Sequence, residues 1–467
     1  MTDYHLLIDG ALVAGADTID VLNPATGATF AAAPRANHEQ MHQAVAAARR
    51  AFPAWAAMTQ TARAERLQAF ANALEPRADE LARLLTQEQG KPIAEAQFEV
   101  GGTIAALRYF AGQSVQPKIL RDTPSEKIIE HRTPLGVVAA IVPWNFPLIL
   151  LMVKLGPALI TGNVVIAKPA PTTPLTTLLL GEIAADILPA GVFQTLADAN
   201  DLGAELAAHP DVAMVAFTGS TATGRKVLAG AADTLKRFTL ELGGNDAAII
   251  LDDADLDIVA PAVFRAATSN AGQICLAAKR IYAPEAMYDR LCGALAELAE
   301  TAVVGDGLEQ GTQIGPIQNR IQYEKLLGYL KDAHASGTVI AGGKPIDRDG
   351  FFIAPTVVRD IADDARLVAE EQFGPIIPVL SYTSLDEVIE RANRSEYGLG
   401  GTIWTSDPQR GEDVAMRIDT GTVWVNKHLE LPFDVAFGGA KQSGLGRQQG
   451  EEGLEEFTQP KIVNIAR

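Results

Sequence analysis

The spacing of apolar residues changes near residue 136 and divides the chain into regions. Between residues 38 and 90, apolar side chains such as Ala44, Ala47 and Ala51 recur with helical period, which predicts two or three amphipathic helices. After residue 136, short β-branched runs alternate with helical segments. The runs are 136–142, 163–167, 192–196, 212–217, 238–242 and 247–251, and the helical segments are 148–160, 175–187, 202–208 and 222–231. This alternation indicates a buried parallel sheet with right-handed crossovers, as in Rossmann-like nucleotide-binding domains.

A second α/β region follows this sheet. Residues 256–267 and 286–301 have helical spacing, while 280–283 and 352–353 have extended character. The tail from Pro460 to Ile465 alternates like an edge strand, and a strand at a chain terminus often pairs with another subunit. The polar segment 121–133 is compatible with a projecting hairpin.

Length and charge narrow the possible functions. A chain of 467 residues is too long for one compact core, so two or three domains are expected. The formal net charge of −18 argues against nucleic acid and anionic membranes as partners. The longest central apolar stretch, residues 146–153, stops at Lys154 and is far short of the ~20 residues that span a bilayer.

The cysteines and histidines indicate the cellular compartment and whether a metal site is expected. The two cysteines, Cys275 and Cys292, make no disulfide framework, and the N-terminus shows no secretory signal, so we expect a cytoplasmic protein. The seven histidines are scattered, and no metal site is expected.

Cys275 is the strongest candidate for chemistry. It lies in a small, polar stretch, Asn270-Ala271-Gly272-Gln273-Ile274-Cys275, whereas Cys292 lies on an apolar helical face typical of an inert thiol. A thiolate that attacks an aldehyde forms an oxyanion, and the Asn145 carboxamide and the Cys275 N–H are suitable donors. Collapse of this intermediate expels a hydride, which a nicotinamide accepts. The remaining thioester needs water and a general base, and Glu241 suits that role.

Two further positions suggest a cofactor site. The strand 212–217 runs into Thr218-Gly219-Ser220-Thr221 and then a helix, which places backbone amides and the Ser220 hydroxyl where a phosphate binds. The same turn is also common as an ordinary helix cap. Lys168 ends another apolar strand, where a lysine either reaches a ribose or phosphate or is simply solvated.

Together, these motifs resemble those of the NAD(P)-dependent aldehyde dehydrogenase superfamily, over nearly the whole chain. The motifs are Pro143-Trp144-Asn145-Phe146-Pro147, Phe217-Thr218-Gly219-Ser220-Thr221, Glu241-Leu242-Gly243-Gly244, Gly272-Gln273-Ile274-Cys275, Glu370-Glu371-Gln372-Phe373-Gly374-Pro375, and Phe437-Gly438-Gly439 through Lys441, Ser443-Gly444 and Gly446-Arg447. The resemblance implies an α/β fold with a Rossmann-like NAD(P)-binding domain (1–115 and 135–242), an α/β catalytic domain (243–445) and a small β oligomerisation element (116–134 and 446–467). It also implies a homodimer or homotetramer.

The resemblance assigns roles to individual residues. It implies Cys275 as nucleophile, Glu241 as general base and Asn145 as oxyanion donor. The implied cofactor contacts are Trp144, Lys168, Gly219, Ser220, Leu242, Glu371 and Phe373. Pro171 stands where the family often has a glutamate that grips the ribose, so we expect NAD with NADP also possible. Asp198 and Asp201, in an altered glycine-rich turn, count against NADP, because their charges disfavour its extra phosphate.

The substrate is expected to be a small aldehyde with an apolar aliphatic or aromatic tail. The residues predicted to line its pocket are mostly apolar: Phe146, Ile149, Val153, Ile274, Leu276, Leu431 and Phe437. Two alternatives stay open. A semialdehyde dehydrogenase would use Lys427 near the pocket mouth to attract a carboxylate, and a CoA-acylating aldehyde dehydrogenase would pass the thioester to coenzyme A, against which Glu241 counts.

Overall fold

The computed structural model describes residues 3–467. Its strands are β1 (Leu6–Ile8), β2 (Ala11–Val13), β3 (Asp17–Asn23), β4 (Ala28–Arg35), β5 (Lys118–Asp122), β6 (Glu126–Pro134), β7 (Val137–Ile141), β8 (Val164–Lys168), β9 (Phe193–Thr195), β10 (Val212–Thr218), β11 (Arg237–Glu241), β12 (Asp246–Ile250), β13 (Ala278–Pro284), β14 (Thr338–Ala341), β15 (Thr356–Arg359), β16 (Ile376–Tyr382), β17 (Tyr397–Gly398), β18 (Gly400–Trp404), β19 (Thr422–Val425), β20 (Ala440–Lys441), β21 (Gly444–Leu445) and β22 (Thr458–Ala466).

The α-helices lie between these strands. They are α1 (His38–Ala57), α2 (Gln60–Leu74), α3 (Ala78–Gln89), α4 (Ile93–Ala111), α5 (Pro147–Ile160), α6 (Leu175–Ala185), α7 (Gly203–Ala208), α8 (Thr221–Gly230), α9 (Leu256–Thr268), α10 (Glu285–Thr301), α11 (Arg320–Ser336), α12 (Arg366–Ala369), α13 (Leu385–Asn393), α14 (Pro408–Ala415) and α15 (Gly450–Glu456). None of the helices in residues 3–467 combines the length and apolar character needed to cross a bilayer.

The first sheet is the predicted Rossmann-like sheet. Its order is β2-β1-β9-β8-β7-β10-β11-β21, and β9, β8, β7, β10 and β11 run parallel. The chain moves outward from β7 to β8 and β9, and then returns to place β10 on the other side of β7. In open α/β sheets, ligands bind outside the carboxyl ends of the strands at such a reversal. The predicted strands form here because β7 and β8 are apolar and buried along their whole length.

The second sheet corrects one detail of the sequence interpretation. Its order is β14-β15-β16-β13-β12-β18-β19, and it includes β12, which the spacing of apolar runs placed in the first sheet. The chain crosses between the sheets at Gly243 and Gly244, where Gly244 approaches the carbonyl of Cys275 too closely for a Cβ. The extended character expected at 352–353 amounts to one isolated bridge between Pro345 and Ile353.

A third sheet has the order β22-β6-β5. The tail forms an edge strand, as predicted, and pairs with β6 from Thr458 opposite Pro134 to Ala466 opposite Glu126. The predicted hairpin corresponds to β5 and β6. The boundaries predicted for the three domains and the pairing of β22 with another subunit remain predictions.

Candidate active site

A cleft of about 200 Å³ opens at the carboxyl ends of β7, β10 and β11, where the strand order reverses. It brings together all three predicted catalytic residues and every predicted cofactor residue except Lys168. The lining residues are Pro143, Trp144, Asn145, Thr218, Gly219, Ser220, Glu241, Leu242, Gly243, Cys275, Gln322, Lys325, Glu371 and Phe373.

The loop before Cys275 has an unusual backbone. Asn270, Ala271 and Gly272 have φ values of +50°, +54° and +70°, so three consecutive residues are left-handed. This conformation costs free energy at the two residues that are not glycine and needs support from its surroundings. The Glu95 carboxylate accepts a hydrogen bond from the Asn270 N–H at 3.0 Å. On the other side, Lys279 Nζ donates to the Gly272 carbonyl at 2.5 Å, so the turn that presents Cys275 is held from both sides.

Asn145 is fixed by hydrogen bonds at both its side chain and its backbone. Its Nδ2 donates to the Gln273 carbonyl at 3.0 Å, and because a carbonyl only accepts, this contact fixes the orientation of the amide. The Asn145 backbone carbonyl accepts from Lys91 Nζ at 2.9 Å and from Asn270 Nδ2 at 3.1 Å. The second N–H of Nδ2 is left to donate to an oxygen in the cleft.

Glu241 ends β11 and is 2% exposed. Neither carboxylate oxygen receives a directed hydrogen bond from residues 3–467. Burial raises the pKa of Glu241 to about 7, against the lowering effect of the Cys275 thiol and the Lys154 ammonium. Burial, followed by the nearby Glu241 carboxylate, also raises the pKa of Cys275 well above its usual value. The resting pair therefore consists of a protonated thiol and a carboxyl poised to ionise near neutrality.

Lys154 is a buried charge beside this pair that the sequence interpretation missed. It lies on α5, and its Nζ donates to Thr218 Oγ1 at 2.7 Å and to the Leu150 carbonyl at 3.2 Å. Burial lowers the pKa of Lys154 to about 8, against the raising effect of the Glu241 carboxylate. The signal in the sequence was a single lysine inside an otherwise apolar helix, which was interpreted only as the end of an apolar run.

The cleft residues fit a dinucleotide. A Cβ at Gly219 would lie 2.6 Å from the Phe217 ring, and a Cβ at Gly243 would lie 2.7 Å from Glu371 Oε2, so glycine keeps the backbone open at both positions. Gly219 and Ser220 line the cleft, and Ser220 caps the N-terminus of α8, the end of a helix that favours a phosphate. The Trp144 ring meets the Phe373 ring edge-on at 5.5 Å.

The aldehyde dehydrogenase family model matches residues 12–463. The chain belongs to this family. It is 38% identical to the geranial dehydrogenase of Castellaniella defragrans (99% of this chain, 98% of the relative) and 39% identical to the phenylacetaldehyde dehydrogenase of Pseudomonas fluorescens (99% and 96%). The NAD+ complex of an aldehyde dehydrogenase from Bacillus cereus superposes with a TM-score of 0.97 at 36% identity, over 100% of this chain and 97% of that one.

These findings confirm the predicted family and fold class, and the predicted oxidation of an aldehyde to its acid is confirmed at the level of the family. The roles of individual residues stay predictions. Lys168 is the one predicted cofactor residue outside the cleft lining, and it lies at the end of the neighbouring strand β8 in an ion pair with Asp198.

Helix α11 gives this aldehyde dehydrogenase two cleft residues that were not predicted. Gln322 Nε2 donates to the carbonyls of Gln372 and Phe373, both at 2.9 Å, and Lys325 Nζ donates to the Glu371 carbonyl at 3.1 Å. These bonds hold the turn that carries Glu371 and Phe373. The surrounding sequence has only ordinary helical spacing, so no signal marked them.

The structure brings together some, but not all, of the residues predicted to line the substrate pocket. Five of its seven residues share one apolar cluster with Cys275: Phe146, Ile274, Leu276, Leu431 and Phe437. The cluster also contains Ala277, Leu399, Trp424 and Leu429, which were not predicted. Ile149 and Val153 lie outside this cluster. Ile149 packs against the core of the first sheet, and Val153 is buried on α5.

Proposed function

We propose that the chain oxidises aldehydes with an apolar aliphatic or aromatic tail to carboxylic acids, with NAD+ as cofactor. The observation that carries the proposal is the single cleft shared by the Cys275 thiol, the Glu241 carboxyl, the Asn145 amide and a glycine-lined dinucleotide cradle. NAD+ is supported by the fit of these residues and by the NAD+ complex of the Bacillus cereus neighbour.

The first half-reaction uses Cys275 and Glu241, which line the same cleft. Glu241 takes the thiol proton, and Sγ adds to the carbonyl carbon. The new oxyanion accepts hydrogen bonds from Asn145 Nδ2 and from the Cys275 N–H, both held in place before the reaction. Bound NAD+ supplies the hydride acceptor. The C–H bond breaks with its electron pair, and a thioester remains on Cys275.

The second half-reaction needs a base for water. Glu241 is buried, has no directed partner among the described residues and has a pKa raised to about 7, so it ionises in the range where a base is effective. After the proton from the thiol has passed from Glu241 to solvent, the carboxylate takes a proton from water, and the hydroxyl adds to the thioester carbonyl. The C–S bond then breaks, and Glu241 gives the proton to the leaving sulfur, which releases the acid and restores the thiol.

The charges near the apolar cluster support an uncharged substrate tail. Lys427, the candidate partner for a semialdehyde carboxylate, pairs with Glu430 at 3.0 Å. The His428 ring nitrogen Nε2 contacts the Leu276 carbonyl at 2.6 Å, and burial lowers the pKa of His428 to about 4, so it is neutral. Lys91 Nζ covers one face of the Phe146 ring at 3.7 Å, which disfavours a quaternary ammonium there.

We also infer a homodimer or homotetramer, from the edge position of β22, and a reducing compartment such as the cytoplasm, from the two free cysteines. Sedimentation at micromolar concentration tests the assembly, and a monomer there would exclude it.

The two cysteines provide a matched test of the function. Cys292 lies on α10 in the core, so Cys292→Ala should keep NADH production from octanal, while Cys275→Ala should abolish it. Octanoic acid should accumulate without coenzyme A. Activity that survives in Cys275→Ala, or acid that forms only when coenzyme A is present, would contradict the proposal.

A further inference from the structure

We infer that this chain discriminates against NADP+ because Asp198 neutralises Lys168, beyond the cleft, where the adenosine of the cofactor would bind. The inference rests on the proposed use of a nicotinamide dinucleotide. It concerns residues beyond the catalytic cleft and an altered turn that the proposed reaction leaves unexplained.

The position of Lys168 and Asp198 follows from the sheet. The strands β11, β10, β7, β8 and β9 are neighbours in that order. One residue at or after the carboxyl end of each strand forms a row along the edge of the sheet: Glu241, Ser220, Trp144, Lys168 and Asp198. Adjacent strands lie about 4.8 Å apart, so the row spans about 19 Å, the scale of an extended dinucleotide. Because Cys275 and Glu241 fix the reacting end, the other end of the row receives the adenosine.

Lys168 is not free to bind an anion. Its Nζ lies 2.6 Å from Asp198 Oδ1, and the two side chains are 5% and 0% exposed. Asp198 Oδ2 accepts from the Leu202 N–H at 2.8 Å, which anchors the carboxylate at the start of the α7 turn. The Lys168 stem also runs against Gly203, where an added Cβ would lie 3.1 Å from Cε. The ammonium is therefore held beside a fixed negative charge.

The next cation along the turn is also paired. Arg35 Nη2 lies 2.7 Å from Asp201 Oδ2, and its Nη1 lies 3.6 Å from Asp17 Oδ2. Asp201 Oδ1 accepts from the Ala199 N–H at 3.0 Å and is thus fixed as well. Lys168 and Arg35 are thus paired with three carboxylates, those of Asp198, Asp201 and Asp17, and these five groups together are negative.

A 2′-phosphate has no suitable partner here. Such a group carries a charge of about −1.5 to −2 near pH 7 and is normally bound by a free arginine or lysine. Bringing it beside a neutralised lysine and an excess carboxylate is unfavourable. The 2′-hydroxyl of NAD+ carries no charge and avoids this repulsion. Pro171 supplies no charge of either sign, so Asp198 is the residue that decides the preference.

Binding of cofactor fragments tests the inference without the reaction. Isothermal titration should show that the wild-type protein binds 2′,5′-ADP at least about tenfold more weakly than 5′-AMP. Asp198→Asn should shrink that difference by freeing Lys168, while Glu300→Gln, an exposed carboxylate on α10, should leave it unchanged. Equal or tighter binding of 2′,5′-ADP by the wild type would overturn the inference, as would failure to bind 5′-AMP at all.

The salt dependence of binding and a separate assay of aldehyde oxidation distinguish failure of this inference from failure of the proposed function. If Asp198→Asn does not fold, raising the salt concentration should narrow the wild-type difference, because screening weakens a charge effect, and a difference that ignores salt would overturn the inference. Selective binding of 5′-AMP in a protein that oxidises no aldehyde would instead refute the proposed function and leave the inference standing.

Discussion

Lys91 donates a hydrogen bond to the backbone carbonyl of Asn145, with its Nζ 2.9 Å from that oxygen. The same Nζ lies 2.5 Å from Glu99 Oε2, and both side chains are fully buried. The other Glu99 oxygen accepts from the Leu148 N–H at 2.9 Å and from the Ile149 N–H at 3.3 Å, in the first turn of α5. A buried ion pair thus holds the segment that carries the proposed oxyanion donor.

Replacing Lys91 should harm both stability and activity. Lys91→Met leaves Glu99 buried without its cation, which should cost about 3–5 kcal/mol of unfolding free energy in denaturant titrations. Adding Glu99→Gln removes the stranded charge and should restore part of that loss. The double variant should still lose about 10- to 100-fold in kcat/KM, because Asn145 is no longer held. Wild-type kcat/KM in the double variant would show that the pair serves stability alone.

Lys154 should set the pH at which the thioester is hydrolysed. Glu241 acts as a base when it is ionised, so with its pKa near 7 the hydrolysis rate should rise as the pH passes through about 7. The Lys154 ammonium lowers the pKa of Glu241, so Lys154→Met should raise that pKa and move the midpoint of the kcat profile to higher pH. Lys331→Met, at an exposed position on α11, is the control. A midpoint that stays in place or falls in Lys154→Met would remove this role.

The apolar cluster should favour longer tails. Each added methylene buried beside Phe146, Leu431 and Phe437 contributes about 0.8 kcal/mol, or about fourfold in kcat/KM, until the pocket is full. A series of straight-chain aldehydes from butanal upward measures this. A semialdehyde of matched length should react more slowly, because its carboxylate finds no free cation. Preference for the semialdehyde, lost in Lys427→Gln, would support the alternative substrate class.

The first sheet, and the candidate residues that line its cleft, could be picked out from the sequence for physical reasons. A parallel strand buried on both faces is apolar throughout, so β7, β8 and β10 stand out against the helices around them. Cys275 lies in a short polar segment, unlike the apolar settings of most lone thiols, and Asn145 is a single amide framed by aromatic residues and prolines. The change of sheet at Gly243 could not be derived from the spacing of apolar residues, because a pair of glycines signals close approach without saying which strand comes next.

The roles of the buried lysines around the cleft could not be predicted, because each role depends on the residue that the lysine contacts in the fold. Lys91 pairs with Glu99 eight residues away, and Lys154 contacts Thr218 from another element. In the sequence each is one lysine beside apolar residues, with nothing to show whether it is buried. The same holds for Lys168, whose partner Asp198 follows the next strand of the sheet.

The most direct test of the account traps the thioester. In Glu241→Gln, the carboxylate that helps to raise the pKa of the Cys275 thiol is gone, so the thiol can ionise to solvent and still attack, and the hydride can still leave. The water that must hydrolyse the thioester has no base. Rapid mixing with octanal and NAD+ should give one NADH per active site, followed by turnover at least about 100-fold slower than in the wild type. Mass spectrometry of the acid-quenched protein should find one octanoyl group on Cys275. Unchanged steady turnover, or an acyl group on any residue other than Cys275, would contradict the account.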